Sequence, residues 1–202
     1  MKKILVTGFD PFNCSKINPS FEAVKLLPPT IGEYEIVKLE VKTIFRFSAD
    51  QVIDAIKTLK PSYVLMTGEA GDRDKISIER IGINLNDARI KDNGGAQPLK
   101  QVIDKDGADG IFSTIPIYDI HEAIKAIPLP VEISNSAGTF VCNHLLYSVL
   151  NFLTTSASFK IIKAGFIHVP LLPEEAKKYN LKGMKKEEIA QALLVAIKTM
   201  IK

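Results

Sequence analysis

Along the chain, short continuous runs of apolar residues alternate with segments in which apolar positions recur every three or four residues. The first pattern predicts buried strands and the second amphipathic helices. Lys3-Ile-Leu-Val-Thr7, closed by Gly8, reads as a central strand, Tyr34 to Val41 as a second, and Ser62 to Thr67 as a third that opens into Gly68-Glu-Ala-Gly-Asp-Arg73. Ser20 is placed to cap a helix carrying Phe21, Val24 and Leu27, which Pro28-Pro29 stops. Residues 48–59 carry Val52, Ile53, Ile56 and Leu59 on one side and end at Lys60-Pro61. Strands and helices alternating through short connections predict an α/β fold, with a mostly parallel twisted sheet and helices on both faces.

The second half continues the alternation, with one fault in it. Ile76 and Ile78 share one parity, whereas Ile81, Ile83 and Leu85 share the other, so a bulge or a break between two strands falls at Glu79-Arg80. Residues 91–110 are rich in glycine and aspartate and carry no period, which suits a lid or a subunit contact. Phe112 to Ile115 reads as a short strand, 118–127 as a helix, and Val131 to Ser134 as another strand. Cys142, Leu145, Leu146, Val149, Leu150 and Leu153 then mark one helical face. The last strand covers 160–170, with His168 at its carboxyl end. A short turn at Leu172-Pro-Glu-Glu leads to a final amphipathic helix over 186–201. With no internal repeat and no interdomain linker, residues 1–202 read as one domain.

Composition narrows the classes. The chain has 202 residues, 46% hydrophobic and 24% charged, which is ordinary for a globular protein. A net charge of +3 on scattered lysines argues against a nucleic-acid partner. Two cysteines, Cys14 and Cys142, are too few for a disulfide framework and point to a reducing compartment. The apolar run after Met1-Lys2-Lys3 is too short for a signal peptide, and no run approaches a membrane span. A cytoplasmic protein is the expectation.

Open α/β sheets bind ligands beyond the carboxyl ends of their strands. The loops 8–19 and 68–75, and the one before Cys142, therefore converge on one rim. Cys142 lies in the first turn of its helix, where unpaired N–H groups and the helix dipole favour a thiolate; the competing reading is a small buried hydrophobe. The rim rule brings His168 to the same place, as the base that a thiol of ordinary pKa needs. Glu79, at the phase fault, is the best placed acid to orient the imidazole, against an exposed ion pair at a strand end. Cys14, Cys142, His144 and His168 show no CxxC, HxxxH or HExxH spacing, which argues against zinc. Gly68–Arg73 is neither GxGxxG nor a phosphate-binding P-loop, and Glu69 and Asp72 would repel an anion. A phosphorolytic α/β protein of the nucleoside-phosphorylase kind, using that turn, is the rival to a cysteine nucleophile.

Five segments carry a resemblance: Thr7-Gly-Phe-Asp-Pro-Phe12, Ile78-Glu-Arg80, Asn84-Leu-Asn-Asp-Ala-Arg-Ile90, Ser134-Asn-Ser-Ala-Gly-Thr-Phe-Val-Cys-Asn143 and Gly165-Phe-Ile-His-Val-Pro170. Together they make the chain similar, in order and over nearly its whole length, to the pyroglutamyl peptidase I family of cysteine peptidases. The resemblance implies a cytosolic enzyme, commonly homotetrameric in prokaryotes, that removes N-terminal pyroglutamate from peptides without a cofactor or metal. It implies Cys142, His168 and Glu79 as the catalytic triad. Phe9, Phe12, Thr43, Ile90, Phe140 and Val141 would wall the pocket, Asn18 would hold the lactam, and Arg89 would assist at the oxyanion or else pair with Asp87 or Asp92. Three positions depart from the family. Asn13-Cys14 replaces two glycines, Lys91 replaces a proline, and Glu69 stands where glutamine is usual, an exchange that removes a hydrogen-bond donor if the carboxyl is ionised.

Overall fold

The computed structural model describes residues 1–13 and 15–202; Cys14, and with it the reading of that loop departure, lies outside the described residues. Lys2–Phe9 (β1), Tyr34–Val41 (β3), Tyr63–Glu69 (β4) and Lys163–Val169 (β9) form the parallel centre of a seven-stranded sheet. Thr30–Ile31 (β2) adds one antiparallel edge. On the other side Ile76–Glu79 (β5) runs antiparallel to β9, and Val131–Ser134 (β8) runs parallel to β5, giving the order β2-β3-β1-β4-β9-β5-β8. The sheet is therefore mixed, though mostly parallel. Because β8 points away from the ligand rim, the strand before Cys142 does not deliver that residue there; the connection 135–140 does.

The phase fault at Glu79-Arg80 is a break between two sheets. β5 belongs to the main sheet, while Ile81–Ile83 (β6) pairs with Gly110–Phe112 (β7) in a separate two-stranded ribbon. The predicted strand over Phe112–Ile115 is thus shifted towards the amino end. Ser113 to Ile115 instead leaves the ribbon, with Thr114 hydrogen-bonded to Ala164.

Alternation in the strands sorts the core into two layers. Ile4, Val6, Leu65, Ile76, Ile78, Ile167 and Val169 face the helices Pro19–Lys25 (α1), Ile117–Lys125 (α3) and Lys186–Met200 (α6). Leu5, Val64, Met66, Ala164 and Phe166 face Phe47–Leu59 (α2) and Val141–Thr155 (α4). A short helix, Pro173–Ala176 (α5), follows β9. Ser20 does not cap α1. Asn18 does, with Pro19 in the first turn, and Ser20 sits inside the helix with its hydroxyl on Asn18 Oδ1.

The helix α4 is buried on more than the one stripe its leucines predict, because α2 and the β6–β7 ribbon cover its other flanks. Its two buried polar residues are used to attach those flanks. Asn143 Oδ1 accepts from Ile83 N–H at 2.9 Å, and its amide donates to the carbonyls of Ile83 and Leu85, so it completes the free edge of β6. His144 Nε2 accepts from Arg46 N–H at 3.0 Å and Nδ1 donates to Asn86 Oδ1 at 3.1 Å. Burial, with the Arg46 charge, pushes this imidazole down to about 4, and it stays neutral as a clamp on the start of α2.

Gly8 marks where α1 lies closest to the sheet: a Cβ there would stand 2.6 Å from the backbone N and Cα of Phe21. Backbone cannot swing aside as a side chain can, so Gly8→Ala is expected to destabilise the protein by about 2–3 kcal/mol or more, measured as the shift of a urea unfolding midpoint.

Candidate active site

At the carboxyl edge of β1, β4 and β9 lies a cavity of about 340 Å³. Phe9, Phe12, Asn18, Thr43, Arg89, Ile90, Phe140, Cys142 and His168 line it, together with the turn Glu69–Arg73 and the segment Ala137–Thr139. Three larger grooves, near 810, 800 and 670 Å³, lie elsewhere. The histidine in the first is His144, whose ring nitrogens are both occupied; Cys142 and His168 line the 340 Å³ cavity together.

His168 is buried near the end of β9, and its parity with Ala164 and Phe166 turns it to the α4 side of the sheet. Ser77 of the antiparallel β5 is its register partner, and Glu79, two residues on, projects to the same face. His168 Nδ1 donates to Glu79 Oε1 at 2.7 Å, leaving Nε2 as the nitrogen with a free lone pair. Glu79 is fully buried. Its Oε1 also accepts from Arg73 Nη1 at 2.7 Å, while Oε2 has no partner among the described residues. Burial alone would raise the Glu79 pKa. The hydrogen bond and charge of His168, with Ser134 and Arg73 adding to them, outweigh it and hold the carboxyl below its ordinary value.

Cys142 is the second residue of α4. Phe140 precedes the helix in an extended conformation and offers no side-chain cap. The first helical bond runs from His144 N–H to Phe140 C=O at 3.1 Å, so the N–H groups of Val141, Cys142 and Asn143 face out of the helix start. Gly68 of β4, in register with His168, makes room for the thiol: a Cβ there would lie 2.8 Å from Cys142 Sγ and 2.8 Å from Phe166 Cζ. The helix start does not make the resting residue a thiolate. Burial pushes the thiol well up, Glu79 and Glu69 add to this, and Arg73 offsets only part. The proton must therefore leave for a neighbouring base, and His168 lines the same cavity. Among the described residues no hydrogen bond joins Sγ to His168, whose bonded nitrogen is the one on Glu79.

Other expected positions differ in detail. Val141 is not a wall, for its side chain is wholly buried in the layer between α4 and the sheet. Asn18 lines the cavity with Oδ1 already accepting from Ser20 twice and Nδ2 donating to Asp10 C=O, so it has one N–H left to offer. Among the described residues Arg89 pairs with neither alternative acid: Asp92 accepts backbone N–H groups from Phe45, Gly94 and Ala96, and Asp87 accepts from the backbone N–H of Lys100. Arg73, on the turn proposed for an anion, is taken up by Glu79 and Ser136 C=O, which leaves the phosphorolytic reading without its cation. Asp10 went unnoticed in the sequence. Its Oδ1 accepts from Thr43 N–H at 2.7 Å and Thr43 Oγ1 at 2.8 Å, tying the first loop to the one after β3. Asp10 stands at the end of a strand, and its position between two aromatic wall residues was the available signal. Among the described residues no group of three or more His, Cys, Asp or Glu side chains could hold a metal ion.

An α/β sheet that brings a thiol at a helix start and an imidazole oriented by a buried carboxylate to one cavity has the architecture of a cysteine hydrolase. The sequence model described as pyroglutamyl peptidase matches residues 2–202, and the chain belongs to that family of cysteine peptidases. It is 48% identical to pyrrolidone-carboxylate peptidase 1 of Caldanaerobacter subterraneus subsp. tengcongensis, over 99% of this chain and 98% of that one. It is likewise 48% identical to the pyrrolidone-carboxylate peptidase of Fusobacterium nucleatum subsp. nucleatum, over 98% and 92%. The crystal structure of Bacillus amyloliquefaciens pyroglutamyl peptidase I superposes with a TM-score of 0.95 at 39% identity, covering 99% of this chain and 97% of that one. A mutant pyrrolidone carboxyl peptidase from Pyrococcus furiosus gives 0.93 at 33% identity, covering 98% of each.

Two outcomes test this geometry. Gly68→Ala is expected to displace either the thiol or the rigid Phe166 ring, cutting cysteine-dependent turnover by roughly 10-fold or more with about 1–3 kcal/mol lost in a denaturation measurement. Glu69 ends β4 at the cavity, and its Oε2 is buried without a partner among the described residues. Burial, then the neighbouring Glu175 charge, raises its pKa from 4.5 to about 7. A raised folded-state value stabilises fully below the unfolded value, and that stability is lost as pH rises through the folded one. Glu69→Gln should therefore match the wild type in stability near pH 4.5 and exceed it above pH 7 by about 1–2 kcal/mol, compared by urea unfolding at the two pH values.

Proposed function

We propose that this chain hydrolyses the bond between an N-terminal pyroglutamyl residue and residue two of a peptide, with Cys142 as nucleophile, His168 as base and Glu79 as the acid that orients it. The 2.7 Å bond from His168 Nδ1 to Glu79 Oε1 carries the reading, because it leaves Nε2 free in the cavity that also receives Cys142. A pyroglutamyl group is a flat, neutral lactam with no ammonium for an ordinary aminopeptidase to grip. The cavity suits it: Phe9, Phe12, Ile90 and Phe140 supply apolar wall, and the remaining Asn18 N–H is a donor for the lactam carbonyl.

As the thiol approaches the scissile carbonyl, His168 Nε2 takes its proton and forms an imidazolium beside the ionised Glu79. This pairing offsets the burial and carboxylate repulsion that keep the free thiol protonated. The outward N–H groups at the start of α4, with the helix dipole behind them and Arg89 at the cavity edge, stabilise the oxyanion. His168 then protonates the leaving amine, and the C–N bond breaks to give a thioester. Water, deprotonated by the same imidazole, attacks the thioester, releases pyroglutamate and restores the thiol. No step calls for a metal or cofactor.

Residues 1–202 act as one catalytic domain, in the cytoplasm, as a homotetramer. Leu99, Val102, Phe112 and Tyr118 are large apolar side chains left exposed on one subunit and are the kind of surface that association covers. No helix among the described residues is long and apolar enough to cross a membrane.

Purified wild-type protein is expected to release the chromophore from a pyroglutamyl amide, and no turnover would overturn the proposal. Cys142→Ser or iodoacetamide should abolish activity. Glu79→Gln should lower kcat by roughly 10²- to 10⁴-fold while KM changes little, since it touches the base and not the substrate.

A further inference from the structure

We propose that Arg73 is a positioning residue of this site: it clamps the Glu79 carboxylate to the loop that delivers Cys142, and so sets the pH range over which thiol and imidazole work together. The proposal rests on the cysteine peptidase reading above and adds to it a residue outside the triad.

Arg73 touches both halves of the site. Nη1 donates to Glu79 Oε1 at 2.7 Å and Nη2 donates to Ser136 C=O at 2.9 Å, in the connection that leads from β8 to Cys142. The guanidinium thus spans from the acid that holds His168 to the backbone that places the nucleophile. A planar fork with donors in fixed directions can bridge two acceptors in this way; an ammonium is a single point charge on a flexible stem. The arginine side chain is 24% exposed and the carboxylate beneath it is fully buried, so Arg73 also covers Glu79 on the solvent side. Its Nη1 and His168 Nδ1 share one carboxylate oxygen, and the other has no partner among the described residues. Without Arg73 the buried charge would lose its one permanent cation and its tie to the 135–140 connection, and the carboxylate could turn and let the ring move with it.

The charge has a second effect. The groups that face the Glu79–His168 pair are Arg73 from the β4–β5 turn, Cys142 from α4, and Glu69 from the end of β4 with Glu175 of α5 behind it. Asp72, Asp87 and Arg89 line the same cavity. Arg73 is thus the cation in direct contact with a carboxylate-rich centre. Positive charge there disfavours proton uptake by the site, so its removal makes the site take up a proton more readily. Arg73 also favours loss of the Cys142 proton, which attack by sulfur requires, so without it the acidic limb of the rate profile should move to higher pH.

The test compares wild type, Arg73→Gln and Arg73→Lys by two readouts across about pH 5 to 9. One is kcat/KM on a pyroglutamyl amide. The other is the rate at which iodoacetamide alkylates Cys142, resolved from Cys14 by peptide mass spectrometry. The second needs no substrate, so it judges Arg73 even if the pyroglutamyl reading fails, and absent turnover by wild type would mark that separate failure. In Arg73→Gln both acidic limbs are expected to move up by about half to one pH unit, a three- to tenfold loss on the acid side that shrinks at high pH. Arg73→Lys should keep the limb near its wild-type position at a reduced rate, because the charge remains and the bridge does not. Where the glutamine variant fails to fold, Arg73→Met, of similar length, takes its place. A limb at the wild-type position in the uncharged variant, whether the rate is uniformly lower or unchanged, would overturn the proposal.

Discussion

The buried carboxylate of Glu79 is the constraint on which the rest of the site depends. A fully buried charge is tolerable only where donors compensate it, and here one donor is the imidazole of the site and the other a guanidinium from the adjacent turn. The same oxygen that needs His168 for its own stability fixes the ring's orientation and decides which nitrogen is left to act as base. β5 runs antiparallel to β9, and its alternation brings Glu79 to the imidazole while Ile78 packs into the opposite layer.

The helix that carries the thiol is held with comparable care. Asn143 ties it to the edge of β6, His144 ties it to the start of α2, and Gly68 lets Sγ settle against the sheet. Both polar residues are buried within α4, where unpartnered side chains would be costly. Their use to satisfy backbone groups of neighbouring elements explains how a helix can be covered on several sides and still present its first turn, uncapped, to a cavity.

The electrostatics make the thiol's reactivity conditional. A helix start by itself favours negative sulfur, but the desolvation of Cys142 and two nearby carboxylates act the other way and prevail. Such a site keeps its nucleophile protonated and comparatively unreactive until a proton acceptor and an electrophile are both in place.

Much of this was legible in the chain itself. Buried runs and helical periods gave the strands β1, β3, β4 and β9 and the helices α2, α4 and α6 to within a few residues, because local burial patterns carry that information. The strand-end rule placed His168 at the ligand rim, and the phase fault at Glu79-Arg80 marked a real boundary. The sequence could not show that β5 runs against β9 and that β8 runs with β5, since direction in a sheet is set by which edges pair and not by local pattern. Nor could it show that Val141 turns into the core, that Asn18 caps α1, that Asp10 joins two loops, or that Arg73 reaches Glu79 across a turn. Those contacts join residues far apart or on opposite sides of a loop, and no periodicity encodes them. The sequence by itself determined which residues had the chemistry to act, and the family motifs pointed to the proposed Cys142, His168 and Glu79. Only the tertiary structure decided how that chemistry is tuned, because the charge on Cys142 depends on burial and on carboxylates brought to it from other strands.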